Sequence, residues 1–453
     1  MKNCLYGLCA AILAASVLQS QANPSEGFEY TGYFRSGTGT NSLGGNYECF
    51  NNKKTGGNEF RIGNECATYG EATFTFHHLK SEKNDPFFKS QIRLTYVAND
   101  FGKASGTAPA LTYVNNGDAV FSLAEAYVQG GRFQDVPYTF WAGKRFYREP
   151  DLFMNDWFYY GNTVGNGAGV EEIPVGIGKL AIAQLRQVNT DGTKRTESGR
   201  PGITLWDARL KDIAITENDK LEFWVAYGHS PEGTNVATPT DVYERGTGLI
   251  VGAKNRYEFD GGFYDAALIR GSGLMESLEL SGDSAPIKET STPGTPTSTQ
   301  QDALRWRLVN HIQYEIPNSK WAFHAGISHE RWDSGAATKN LGKWTSVGIL
   351  PVYFLTDHVQ LTGQLGASLV DDESELEIVS GNPLGQRTLY RATIAPQIAI
   401  NTKLSARPVL RAYYTQSWWN DKNKGASYVG ANAPSFVDKT SGASYGFQAE
   451  VWF

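Results

Sequence analysis

The chain has 453 residues, with 41 Lys and Arg against 47 Asp and Glu, and this acidic balance argues against nucleic acid as a partner. Aromatic residues make up 13%, and 49 glycines stand against only 3 methionines, which fits many short strands and turns. The length exceeds what one soluble core usually organises, whereas a barrel grows with its strand number.

The N-terminus reads as an export signal. Lys2 precedes an uncharged apolar run from Cys4 to Leu18, and Ser20-Gln21-Ala22 supplies the small residues of a cleavage site. Residues 1–22 are therefore expected to be removed, leaving 23–453 as a single exported domain. No later stretch is apolar for long enough to span a bilayer as a helix. Of the four cysteines, Cys4 and Cys9 leave with the signal. Cys49 and Cys66 remain, flanking one polar loop; in an oxidising envelope they are expected to pair and pin the first external loop. Two free thiols are the alternative, and a zinc site is disfavoured because no histidine lies nearby.

The first strand, Phe28 to Arg35, sends Phe28, Tyr30 and Phe34 to one face and Glu29, Thr31, Tyr33 and Arg35 to the other. Tyr33 thus shares a face with charge. Beyond the loop carrying Cys49, Tyr69 to Phe76 places Ala72, Phe74 and Phe76 outside and Tyr69, Glu71, Thr73 and Thr75 inside. Further strands are predicted over 91–98, 121–129, 138–144, 179–186, 204–213, 221–227, 248–257 and 263–270. The series continues over 305–314, 321–328, 344–353, 359–369, 389–398 and 409–418. With the first two and the last, that makes about seventeen, one short of the even number a single-chain bacterial barrel needs. Residues 285–301, rich in Pro, Ser and Thr, read as a mobile surface loop.

One connection departs from the hairpin pattern. Between Lys144 and the glycine-rich Gly165-Asn166-Gly167-Ala168-Gly169, residues 145–160 are dense in aromatics and charges. Folded inward, such a segment buries its rings against the wall and offers its charges to a pore; an exterior loop packed on its neighbours is the alternative. The final strand alternates again. Tyr445, Phe447, Ala449, Val451 and Phe453 share one face, and Gln448, Glu450 and Trp452 share the other. A soluble sandwich strand reads the same way, but an exposed terminal aromatic needs an apolar solvent, which a lipid-facing wall provides. The fold class expected is an all-β transmembrane barrel.

Several runs, in order, resemble the maltoporin family of outer-membrane sugar channels. They are Gly32-Tyr33-Phe34-Arg35-Ser36-Gly37, Arg61-Ile62-Gly63-Asn64-Glu65-Cys66, Trp141-Ala142-Gly143-Lys144-Arg145-Phe146-Tyr147 and Gly167-Ala168-Gly169. Trp344-Thr345-Ser346-Val347-Gly348-Ile349, Arg407-Pro408 and the final strand extend the likeness over the mature chain. The resemblance implies an 18-stranded antiparallel barrel with an inward-folded constriction loop, assembled as a homotrimer among the lipids of the bacterial outer membrane. It implies no enzyme activity, cofactor or metal.

The resemblance also implies a route for sugars along a line of aromatic rings, the greasy slide, flanked by a polar track. Tyr33, Tyr69 and Trp452 match slide positions, and Phe101 matches one by its place in a loop. Arg35, Arg61, Glu71, Asp151 and Asp156 match the track and constriction. A pyranose lays its apolar CH face on a ring while its hydroxyls bond ionised side chains. Four departures alter the pattern. Ser405 stands at a slide Trp position, Ala124 at a track Arg, Phe158 at a constriction Tyr, and Glu149, beside Arg148, at a loop Arg. In the strand from Phe263 to Arg270, Tyr264 and Ala266 both compete for the slide position. Maltodextrin specificity is open, and a general porin for ions and small solutes is the alternative reading. A barrel enzyme or adhesin ranks last, because the 7 histidines are scattered without a nucleophile motif.

Overall fold

The computed structural model describes residues 27–52, 59–79, 85–98, 119–149, 151–187, 201–234, 242–280, 287, 301–335, 341–376, 383–425, 429 and 433–453. The wall begins with β1 (Phe28–Asn41), β2 (Thr68–Leu79), β3 (Phe87–Ala98), β4 (Ala119–Gly131), β5 (Thr139–Tyr147) and β6 (Thr163–Pro174). It continues with β7 (Lys179–Gln187), β8 (Ile203–Ala214), β9 (Asp219–Ser230), β10 (Gly246–Phe259), β11 (Gly262–Gly273) and β12 (Leu304–Glu315). It finishes with β13 (Trp321–Asp333), β14 (Leu341–Phe354), β15 (Val359–Asp372), β16 (Arg387–Ala399), β17 (Val409–Trp419) and β18 (Ser441–Trp452). Each strand pairs antiparallel with the next in one 18-stranded sheet. The sheet closes where β18 pairs with β1, setting Tyr33 opposite Trp452 and Arg35 opposite Glu450.

The alternation in the sequence dictates which face meets which medium. Phe28, Tyr30, Phe34, Phe447 and Phe453 point out and are exposed, whereas Arg35, Thr73, Thr75, Gln448 and Glu450 point in and are buried. This is the inverse of a soluble barrel, as expected for a wall bathed in lipid and filled with polar groups. Connections at one end, such as 175–178 and 260–261, are short turns, while those at the other, such as 42–67 and 274–303, are long.

Two expectations need correction. The strand absent from the sequence reading is β6, whose run Gly165-Asn166-Gly167-Ala168-Gly169 carries a composition depleted in strands. Its glycines are steric: a Cβ on Gly169 would lie 2.6 Å from the indole nitrogen of Trp141. The loop after β1, expected outside, turns into the barrel instead. Phe60, Arg61, Ile62, Asn64 and Glu65 are all buried.

Cys49 and Cys66 form a disulfide across the base of that infolded segment, with Cα atoms 5.9 Å apart. Thiol labelling of the unfolded, unreduced protein is expected to find neither cysteine free. Opening this loop should cost about 3 kcal/mol of stability in the chain-entropy account. Labelling at both positions would contradict the pairing.

Candidate functional site

Residues 148–149 and 151–162, between β5 and β6, fold into the lumen as the inward reading expected: Leu152, Met154, Trp157 and Tyr160 are buried. Trp157 meets Trp344 of β14 edge to face with centroids 5.4 Å apart, and Arg307 of β12 donates to the Tyr159 carbonyl at 3.0 Å. The segment 59–66 meets it from the other side. The Arg61 amide donates to the Met154 carbonyl at 3.0 Å, and the Phe60 amide donates to the Asn155 side-chain oxygen at 3.3 Å. Gln364 of β15 holds both, accepting from the Ile62 amide at 2.8 Å and donating to the Met154 carbonyl at 3.1 Å. Phe60 comes this close to the wall because position 366 is glycine; a Cβ there would overlap the ring.

A line of rings runs past this constriction. Tyr69 and Tyr33 have centroids 6.0 Å apart, Tyr33 and Trp452 6.2 Å, and Trp452 and Phe153 6.2 Å. Phe153 then stacks on His324 of β13 at 6.3 Å. Phe153 was not singled out in the sequence, although it lies in the aromatic-dense segment that was. Phe101 lies outside the described residues. On β11 neither Tyr264 nor Ala266 faces the lumen. Asp265 and Ala267 point in, so the inward ring is Phe263, which lies edge-on to His311 with centroids 5.7 Å apart. Ser405, exposed in the turn before β17, adds no ring.

The polar residues fall into separate groups. Arg35 bonds Glu65 at 2.7 Å and Asp156 at 2.9 Å. Arg61 bonds Glu65 and Glu450, each at 2.8 Å, and donates to the Tyr33 hydroxyl at 2.8 Å. Glu450 also receives Arg407 at 2.8 Å and Arg411 at 2.6 Å. Arg35, Arg61 and Asp156 thus come together, joined by Glu65, Glu450, Arg407 and Arg411, which the sequence had not assigned a role. Glu71 stands apart, taking the Tyr69 hydroxyl and Arg93 at 2.8 Å. Asp151 lines a cavity of about 480 Å³ together with Glu149, Lys254 and Asp265, and it also feels the charges of Arg61 and Asp156. Glu149, at the expected Arg position, bonds Lys211, Lys254 and Arg209. Arg148 lies between the rings of Phe146 at 4.3 Å and Phe158 at 3.7 Å, and Ala124 is buried beside the β3–β4 bulge.

The two loop aspartates differ electrostatically. Burial holds the Asp151 carboxyl above its ordinary range. Burial pushes Asp156 the same way, but Arg61 and Arg35 outweigh it and hold that carboxyl below its ordinary range. Of the two, the raised carboxyl loses its charge first on acidification, so Asp151 should give up its share of the cation preference at a pH above that of an ordinary aspartate. Reversal potentials at low salt, where screening is weakest, are expected to lose this contribution in Asp151→Asn. An identical pH profile in the variant would place Asp151 outside the ion path.

A closed barrel with an apolar exterior, short turns at one end and a narrowed polar lumen defines a channel of the bacterial outer membrane. Residues 28–453 match the family described as LamB porin, and the chain belongs to that family. Among solved structures, the outer membrane channel DcaP of Acinetobacter baumannii is similar at 11% identity, with 95% of this chain and 99% of that chain covered and a TM-score of 0.43. OccAB2 of the same organism is similar at 11% identity, covering 94% and 98%, with a TM-score of 0.48. OccD3 (OpdP) of Pseudomonas aeruginosa is similar at 7% identity, covering 94% and 91%, with a TM-score of 0.45.

Proposed function

We propose that the channel carries sugars across the outer membrane by facilitated diffusion, without catalysis or energy coupling. The observation that supports this most directly is the ring line Tyr69, Tyr33, Trp452 and Phe153 running beside the Arg35, Arg61, Asp156 and Glu450 network. Rings offer a sugar's CH face a surface at each step, and the Asp156 side chain, 30% exposed, keeps acceptor capacity for hydroxyls. Several weak sites in series let a solute both enter and leave. Assembly as a homotrimer belongs to the same reading.

A general diffusion porin is the second reading. Its support is that the Arg35 and Arg61 guanidiniums already bond carboxylates and that Ser405 and Ala124 leave the slide and track short. Planar-bilayer conductance titrated with a panel of sugars separates the two. A sugar that binds should block ion current with saturation, whereas a passive hole should show none with any sugar tested.

A further inference from the structure

The outer wall carries charges that transport does not use. Across β11 to β14 one outward row runs Arg270, Trp306, Arg331 and Lys343, each opposite the next in the sheet. All four are exposed. They share a face with Leu268, Leu308, Ile327 and Val347, which lie nearer the middle of the wall. Each stands near the long-loop end of its strand, and in a bacterial outer-membrane barrel the long loops are extracellular. The row therefore lies where the apolar band meets the headgroups of the outer leaflet.

Lys343 pairs with Asp371 at 3.1 Å. The Arg270 guanidinium lies over the Trp306 ring at 5.5 Å. Neither Arg270 nor Arg331 has a carboxylate partner among the described residues. The strand spacing sets Arg270 and Arg331 about 10 Å apart at the backbone, with Lys343 about 5 Å beyond. Long side chains at these intervals converge on one anionic headgroup, and guanidinium forks suit phosphate oxygens. An indole at this level sits between acyl chains and polar headgroup. We propose that this row binds the phosphate groups of an outer-leaflet glycolipid, with Trp306 packed at the boundary of its acyl chains.

The test uses the folded protein in neutral detergent, with bound lipid read by native mass spectrometry. Three probes are compared: a doubly phosphorylated outer-leaflet glycolipid, zwitterionic phosphatidylethanolamine and inorganic phosphate. Wild type should retain the glycolipid in preference to phosphatidylethanolamine, and inorganic phosphate should not displace it. Arg270→Gln with Arg331→Gln should bind it roughly thirtyfold more weakly, at about one decade and a half for two juxtamembrane charges, with single-channel conductance unchanged. Wild-type retention by a variant of normal conductance would overturn the proposal, and so would displacement by phosphate alone, which would mark a free-ion site. Should the variant fail to fold, wild-type binding is followed from about 0.01 M to about 1 M salt; indifference to salt would equally overturn it.

Discussion

Replacing Glu450 with alanine is expected to cost the folded barrel about 3 to 5 kcal/mol, the range for removing one partner of a buried ion pair. Its carboxylate lies at 2.8 Å from Arg61, 2.8 Å from Arg407 and 2.6 Å from Arg411, and it is fully buried. Without it three guanidiniums face one another, and of the nearby carboxylates Glu65 already bonds both Arg35 and Arg61. Glu450→Gln keeps the shape but not the charge, so it should lie between alanine and wild type. Urea unfolding of the detergent-solubilised protein, followed by the loss of the compact band on an unheated gel, measures the effect. A loss below about 1 kcal/mol, the size of an ordinary substitution, would show that this network is not what holds the site.

Trp452→Ala is expected to weaken sugar block of the ion current roughly two- to tenfold while leaving assembly intact. The indole lies 6.2 Å from Tyr33 and 6.2 Å from Phe153, with Arg407 over its ring at 4.8 Å. It joins the rings of the wall to the ring of the inward loop. Removing one stacking surface is worth ~0.5 to 1.5 kcal/mol by analogy with aromatic pairs. Phe453→Ala is the matched control, because Phe453 points outward against Tyr30 at 5.0 Å. If Trp452→Ala assembles as wild type with sugar block unchanged, the slide reading fails and the general porin takes its place.

The wall was legible because its two faces meet different media, and a period of two records that difference along each strand. Tyr33 and Trp452 were readable for the same reason: each is an aromatic on a polar face, and closure of the sheet makes their strands neighbours. β6 was hidden because the wall needs small residues there, and small residues carry no alternation. On β11 the inward ring was sought one residue late; since the side-chain period is two, that displacement exchanges lumen for lipid and Phe263 for Tyr264. Glu65, Arg407 and Arg411 were not legible as site residues. Their role arises from contacts with Glu450, Arg61 and Arg35 on other segments, and no local pattern encodes such a meeting. The inward turn of 59–66 was equally silent, because what draws Phe60 in is the bare backbone at Gly366, far along the chain.

The bond from the Tyr33 hydroxyl to Glu450 spans 417 residues of sequence and crosses the last seam of the sheet to form. Contacts of such separation carry the largest loop-closure entropy, which has to be met before they stabilise anything. A barrel left unzipped between β18 and β1 would lack the paired Tyr33 and Trp452 rings and the bonds that Tyr33 and Arg61 make to Glu450, while Arg407 and Arg411 would stay with Glu450 on the β17–β18 side. On the proposed sugar-channel reading, competence to recognise a solute therefore doubles as a certificate of completed assembly. A half-stitched cylinder in the membrane would leak, but it would leak without discrimination.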